Sequence, residues 1–211
     1  HGYDASLKSG AHVISVLGEM SETYEPVDIF ISKDGEWHRD GLVREPHHAL
    51  RHADVIWNAL HGSYGEDGKV QRLLEAMQMP YTGSTPLSAS LSSNKDMAKS
   101  LYRRHGLLTP AHALLTEDDL TEEQLIVIFR NYLHPVVVKP ADGIHALGVR
   151  LARSFQELVE AVKETFKHSD KVMVEEFVGG HEFSCMVVND AKGERLYAML
   201  PVGNSRLPLR P

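Results

Sequence analysis

Residues 135–149, PVVVKPADGIHALGV, constrain the fold of this chain more than any other stretch. Three consecutive β-branched valines favour a strand. Lys139 and Pro140 end it, and a loop carrying Gly143 and Gly148 follows, with the backbone freedom that glycine supplies. A second apolar run, 149–152, completes a strand–loop–strand unit. A lysine at the end of a buried strand is costly without an anionic partner. Beside a glycine-bearing loop, Lys139 is a candidate phosphate clamp. A surface lysine ending a strand before a proline fits the same residues, and the segment by itself leaves both readings open.

With 211 residues the chain is long enough for one large domain or two small ones. No apolar run approaches the ~20 residues that a membrane span needs. The opening His1-Gly2-Tyr3 shows no basic region followed by an apolar core, so no signal peptide is read there. The single cysteine, Cys185, excludes an internal disulfide and fits a reducing compartment, so a cytoplasmic protein is expected. A formal charge of −7 argues against nonspecific nucleic-acid binding. An anionic ligand would then be held by a few placed lysines. His47, His48 and His52 lie in a polar, loop-like stretch without paired ligand spacing and read as solvated.

The chain opens abruptly, with no strand before Ser6. Ala11, Val13, Ile14 and Leu17 share a helical face, and Ser6 or Ser9 is expected to cap that helix. Residues 27–32 alternate like a strand, and Asp34-Gly35 before Trp37 signals a hairpin. Residues 54–60, DVIWNAL, read as a buried parallel strand. They run into His61-Gly62-Ser63-Tyr64-Gly65-Glu66-Asp67-Gly68 and then a helix with Val70, Leu73, Leu74 and Met77 on one face. Strand, glycine-rich turn and helix form an α/β ligand site at a strand's carboxyl end. It is not a nucleotide P-loop, because Val70 stands where that motif needs Ser or Thr. Glu66 and Asp67 suit a helix N-terminus electrostatically, and simple capping would explain them too.

Residues 80–93, rich in Ser, Thr and Pro, are the expected domain boundary. Residues 94–105 form a polar helix with Met97, Leu101 and Tyr102 facing inward, stopped by Gly106 and Pro110. A strand over 111–116 and a helix over 120–133 follow, the latter burying Leu125, Ile128, Phe129 and Tyr132. After the central unit come a helix over Phe155–Phe166, a strand over 172–178 carrying Glu175 and Glu176, and a Gly179-Gly180 turn. Residues 182–189 and 196–202 pair across 190–193. There is no internal repeat and no low-complexity segment.

Together these pieces resemble the D-alanine–D-alanine ligases of the ATP-grasp superfamily. The resemblance rests on HGSYGEDG at 61–68, MPYTGS at 79–84, NKD at 94–96, PVVVKP at 135–140 and VEEFVGGHEF at 174–183, in that order. It implies an α/β fold: an N-terminal Rossmann-like, pre-ATP-grasp parallel-sheet domain over 1–85, then an ATP-grasp domain of α+β type over 86–211. Residues 86–211 are expected to be the first, nucleotide-binding lobe of that second domain, with its second lobe largely missing from them. Such ligases phosphorylate one D-alanine carboxylate with ATP. The amine of a second D-alanine then attacks the acyl phosphate, giving the peptidoglycan precursor dipeptide. By resemblance Lys95 and Lys139 hold ATP phosphates. Glu175, Glu176 and Val178 line the adenine pocket, largely through backbone, and Glu182 accepts the ribose hydroxyls. Ser6 and His61 match positions around the first D-alanine, and Glu66 lies in the same wall. Mg²⁺ is expected as a cofactor and a homodimer as the assembly.

Three departures stand against this pattern. His145 and Ala146 occupy places of two loop serines, and Ile144 replaces a glycine. A glutamate expected before Ser6 is missing or cut off, its place falling at or before Gly2. The family continues for about a hundred residues beyond Pro211, where its Mg²⁺ ligands and a substrate arginine lie. These 211 residues are therefore expected not to catalyse ligation alone. A ligase with another second substrate, such as D-lactate, and a non-catalytic nucleotide-binding module are the alternatives. A generic α/β domain is disfavoured by the five ordered motifs.

Overall fold

Val136 and Val138 are fully buried and alternate with Val137 and Lys139, so strand β5 (Val136–Pro140) packs one face inward. The computed structural model describes residues 2–143, 147–190 and 195–203. The expectations for Ile144, His145 and Ala146, for residues 191–194 and for the tail from 204 lie outside the described residues.

The chain runs α1 (Gly2–Glu19), β1 (Ile29–Ile31), β2 (Trp37–Arg39), β3 (Leu42–Arg44), α2 (Pro46–Ala49), α3 (Lys69–Ala76), α4 (Pro86–Ser93) and α5 (Lys95–Arg104). It continues with β4 (His112–Thr116), α6 (Glu122–Asn131), β5, β6 (Arg150–Ala152), α7 (Phe155–Phe166) and β7 (Lys171–Glu176). The short strands β8 (Phe183–Ser184), β9 (Val187–Asn189), β10 (Leu196–Ala198) and β11 (Val202–Gly203) end it.

The second half is built on an antiparallel sheet of order β4-β7-β5-β6. α6 and α7 cover it, and Leu115, Leu125, Ile128, Val136, Leu158, Val162 and Val174 meet in one core. Burying each such side chain is worth roughly 1.5–3 kcal/mol. Helix α7 matches the expected bounds, and Ser154 caps it by accepting the Glu157 amide. Thr121 caps α6 in the same way. The expected C-terminal pairing takes the form of two antiparallel pairs, β9 with β10 and β8 with β11.

The first half has its own core, where Trp37, Ala49, Leu50, Val70 and Leu74 meet Ile56, Leu60 and Tyr64. Several expectations are corrected here. Helix α1 already runs through Ser6 and Ser9, so neither is its cap. Ser6 instead donates back to the Gly2 carbonyl, as a hydroxyl inside a helix does. Residues 54–60 do not form an extended parallel strand: Ile56 makes one parallel bridge with Tyr81, and Val55 and Trp57 are exposed. The three-stranded sheet β1-β2-β3 is antiparallel. Its turns at Gly35 and at Asp40-Gly41, all with positive φ, close hairpins directly, whereas parallel strands need a long crossover.

Part of the Ser-rich stretch is helix α4, capped by Thr85, which accepts the Ser88 amide. On α5, Met97, Leu101 and Tyr102 are exposed, and Ala98 and Lys99 are the buried residues. Periodicity locates an apolar stripe, but here an ion pair draws a different face inward. Among the described residues no helix is long and apolar enough to cross a membrane.

Gly68 joins the glycine-rich turn to α3 and packs against the start of α4. Its φ is +91°, and a Cβ there would lie 2.5 Å from the Pro86 carbonyl oxygen. Gly68→Ala should therefore lower stability by about 1–3 kcal/mol or more, through strain and overpacking together. Urea unfolding checks this, and a midpoint equal to the parent's would refute it.

Candidate functional site

Two polar clusters emerge, one in each half. The first is made where α1 meets the turn at His61. The His61 amide donates to Ser6 Oγ at 2.8 Å, and Ser6 Oγ donates to the Gly2 carbonyl at 2.8 Å. Gly2 must lack a side chain for this approach, because a Cβ would sit 2.4 Å from the His61 carbonyl oxygen. His61 Nε2 is 2.8 Å from Ser9 Oγ, and its Nδ1 is 3.3 Å from Glu66 Oε1. The other Glu66 oxygen accepts the Gly62 amide at 3.0 Å. Ser6, His61 and Glu66 are thus brought together, and Ser9 joins them.

The two carboxylates of the turn divide their work. Asp67 accepts the Lys69 amide at 3.1 Å and pairs with Lys69 Nζ at 3.0 Å. It serves the start of α3, while Glu66 turns back to the histidine. Asn58 and Gln71 both donate to the Gly65 carbonyl, at 3.0 and 2.8 Å, and so hold the turn's shape.

The second cluster gathers around Glu175 on β7, the strand between β4 and β5. Glu175 pairs in register with His112 on one side and Val137 on the other. Its carboxylate accepts Lys99 Nζ at 2.6 Å through Oε2, and Lys139 Nζ through Oε1. Lys99 and Glu175 are only 7% and 8% exposed. Burial by itself would raise the Glu175 pKa, but the hydrogen bonds and charges of Lys139 and Lys99 outweigh it and hold the group below its ordinary value.

Lys95 opens α5, where Asn94 caps by accepting the Met97 amide at 3.0 Å. The Lys95 amide donates to the Ala141 carbonyl at 2.9 Å and its Nζ to the Gly143 carbonyl at 2.8 Å. Helix α5 is thereby docked on the loop that leaves β5. Burial lowers the Lys95 pKa and neighbouring Lys139 lowers it further, against the pull of Asp142 and Glu175. Two lysines beside a glycine-bearing loop, Lys95 and Lys139, can help to neutralise a polyanion, and backbone amides and a point charge are the usual means.

The remaining predicted residues stand apart from these lysines. Glu176 ends β7, with Oε1 accepting the Leu133 amide at 3.4 Å and its own amide donating to Ala111. The amide of Phe177 donates to Pro135, so this part of the segment is engaged in pairing. Val178 is 70% exposed just beyond β7, and Glu182 is exposed before β8. Glu175 itself points its carboxylate at lysines, a use that its expected place in a pocket wall did not suggest. Sequence reasoning missed Ser9 and Lys99. Both carry a usable signal: Ser9 is three residues after Ser6 and Lys99 four after Lys95, spacings that share a helical face.

These features define an α/β protein with a histidine-centred polar turn in one half and a lysine cluster in the other. The chain belongs to the D-alanine–D-alanine ligase family. Family models described as D-ala D-ala ligase N-terminus and C-terminus match residues 40–84 and 101–204, between them most of the chain. A curated D-alanine--D-alanine ligase of Geobacter sulfurreducens is 34% identical over 89% of this chain and 54% of its own length. The solved ligase of Coxiella burnetii aligns with a TM-score of 0.68 at 26% identity, covering 90% of this chain and 53% of the other. A Bacillus anthracis ligase complexed with ATP aligns with a TM-score of 0.57 at 33% identity, over 65% of this chain and 45% of the other. The chain spans about half the length of the curated relatives it matches.

The Glu175 cluster should make part of the stability acid-sensitive. The unfolded glutamate takes up its proton near a pKa of about 4.3, whereas the folded one does so only at lower pH. The unfolded state then binds more protons, so stability falls as pH falls through that range. Glu175→Gln should be less stable at neutral pH, because Lys99 and Lys139 lose their counter-ion. It should also lose less stability than the parent between about pH 5 and about pH 3. Urea midpoints across that range provide the check, and parallel slopes for the two proteins would contradict it.

Proposed function

We propose that this chain is the substrate- and nucleotide-binding part of an ATP-dependent, ADP-forming ligase that joins two D-alanines for peptidoglycan precursor synthesis in the cytoplasm. The observation that carries this reading is the lysine cluster at the loop leaving β5, where Lys139 is bonded to Glu175 and Lys95 to the Gly143 carbonyl, close enough for each lysine to act on the other electrostatically. Family membership supports it. In this reading residues 1–85 form the Rossmann-like pre-ATP-grasp domain, whose parallel pairing is represented by Ile56 and Tyr81. Residues 86–211 form the first lobe of the ATP-grasp domain. The protein acts as a homodimer.

The roles are those that the family resemblance implies. Lys95 and Lys139 hold the ATP phosphates, and Glu182 takes the ribose hydroxyls beyond the adenine, which lies against residues 175–178. Ser6, His61 and Glu66 hold the first D-alanine. Their mixture of donors and acceptors suits a small zwitterion, and the Ser6 and Ser9 contacts fix the His61 main chain and ring. The carboxylate oxygen of that D-alanine attacks the γ-phosphorus, the bond to the β-γ bridging oxygen breaks, and ADP leaves. The amine of the second D-alanine attacks the acyl carbon, loses a proton, and expels phosphate as the peptide bond forms. Most of the rate comes from positioning and charge neutralisation. Mg²⁺ is the family's expected cofactor. Among the described residues no group of three or more His, Cys, Asp or Glu side chains is placed to hold a metal.

With the natural gene product and ATP, D-alanine should release phosphate and L-alanine should not. Equal release with both would overturn the substrate assignment and leave the ligase class. In this chain Lys139→Met keeps the stem and removes the charge. It should weaken ATP about tenfold or more, since charge-assisted hydrogen bonds are worth ~1.5–3 kcal/mol. Calorimetric titration of the folded variant reads this directly, and an unchanged affinity would remove Lys139 from the site. Glu182→Gln should weaken ATP more than it weakens the analogue lacking both ribose hydroxyls, whereas equal losses would make Glu182 a residue of the strand alone.

A further inference from the structure

Glu175 grips two lysines in different surroundings. Lys139 ends β5 at the loop where the proposed phosphate site lies, and its Nζ donates to Oε1. Lys99 is held inside, on the buried face of α5 with Ala98, and its Nζ donates to Oε2 at 2.6 Å. Lys99 stands one helical turn after Lys95, whose own Nζ rests on the Gly143 carbonyl. Counting Asp142, which acts electrostatically on Lys95, the cluster sets three cations against two anions. One positive charge is in excess, and its availability depends on how Glu175 shares its own.

We infer that Lys99 is a positioning residue that sets how readily Lys139 leaves Glu175 for a phosphate, by occupying the second oxygen of that carboxylate. The inference rests on the nucleotide reading above. A phosphate arriving at the loop competes with Glu175 for Lys139. With Lys99 bound, the carboxylate is already neutralised and keeps a partner when Lys139 turns away. Without Lys99, Lys139 is the only cation bonded to a nearly buried carboxylate, and withdrawing it would strand that charge. Lys139 then stays on Glu175 and ATP binds more weakly. The Lys99 bond also fixes the carboxylate's orientation on β7, and so the direction in which Lys139 is presented. A charge acting directly on the phosphate would behave differently, because its effect would not depend on Glu175.

That dependence is testable by a double-mutant cycle, with ATP affinity measured by calorimetry on this chain at fixed ionic strength. Lys99→Met should weaken ATP about tenfold in the parent and by less than about threefold in a Glu175→Gln background. Lys99→Arg, which keeps a charge and a donor, should stay within about threefold of the parent. If Lys99→Met alone fails to fold, the comparison of Lys99→Met/Glu175→Gln with Glu175→Gln carries the test. A double variant about tenfold weaker than Glu175→Gln would overturn the inference. So would an unchanged ATP affinity for folded Lys99→Met, which would leave Lys99 a structural ion-pair partner. Absence of ATP binding by the parent protein would overturn the nucleotide reading, and this inference with it. ATP binding by the parent without the Glu175-dependent loss would overturn the inference alone.

Discussion

The carboxylate of Glu175 is the point on which the second half of the molecule turns. It lies on β7, the strand with a partner on either side, so its backbone is fixed by two ladders. It is almost wholly buried, and a buried ion is tolerated only with close counter-ions and satisfied lone pairs. Lys99 reaches it from α5 and Lys139 from β5. A buried ion pair gives little stability compared with a well-packed apolar pair of the same size. An apolar trio would hold α5 to the sheet as well. What the ions add is a cation beside the loop that can exchange one anionic partner for another.

The same pair explains where the sequence could be read and where it could not. Helix α7, helix α6 and strand β5 follow from local pattern, because their apolar faces meet the one core that the pattern anticipates. The stripe of Met97, Leu101 and Tyr102 on α5 is just as periodic, yet it is exposed. The buried face is chosen by the contact of Lys99 with Glu175, 76 residues away in the chain. No window of the sequence contains that contact. Residues 54–60 misled for a related reason: an apolar run fits a parallel strand, but pairing depends on the neighbour, and only Ile56 finds one in Tyr81.

The family motifs name residues of both clusters, but only as residue types with expected tasks. The contacts show which partner each side chain takes and replace the local reading of several of them as helix caps. Glu66 and Asp67 are adjacent and equally suited to a helix N-terminus, yet one serves His61 and the other Lys69. Ser6 and Ser9 read as alternative caps, and both instead hold His61 from inside α1, one through its amide and one through its ring. The spacing of three that puts them on one face was visible in the chain. The histidine that gives that face its purpose lies more than fifty residues on.

The two clusters differ in a way that bears on what each can bind. Around His61 the partners are mostly neutral hydroxyls and amides, with one half-exposed carboxylate. Such hydrogen bonds exchange with water at little net cost, so a small ligand with both a donor and an acceptor can replace one without stranding a charge. Around Glu175 the partners are ions, largely removed from water. Taking Lys139 away from its carboxylate is then unfavourable unless a second anion receives it and another cation remains behind. The arrangement supplies the remaining cation in Lys99, and a polyanion at the loop would supply the receiving charge. On the proposed reading the first cluster would select by shape and hydrogen-bond pattern, whereas the second would respond to a ligand carrying enough negative charge to compete with a buried glutamate.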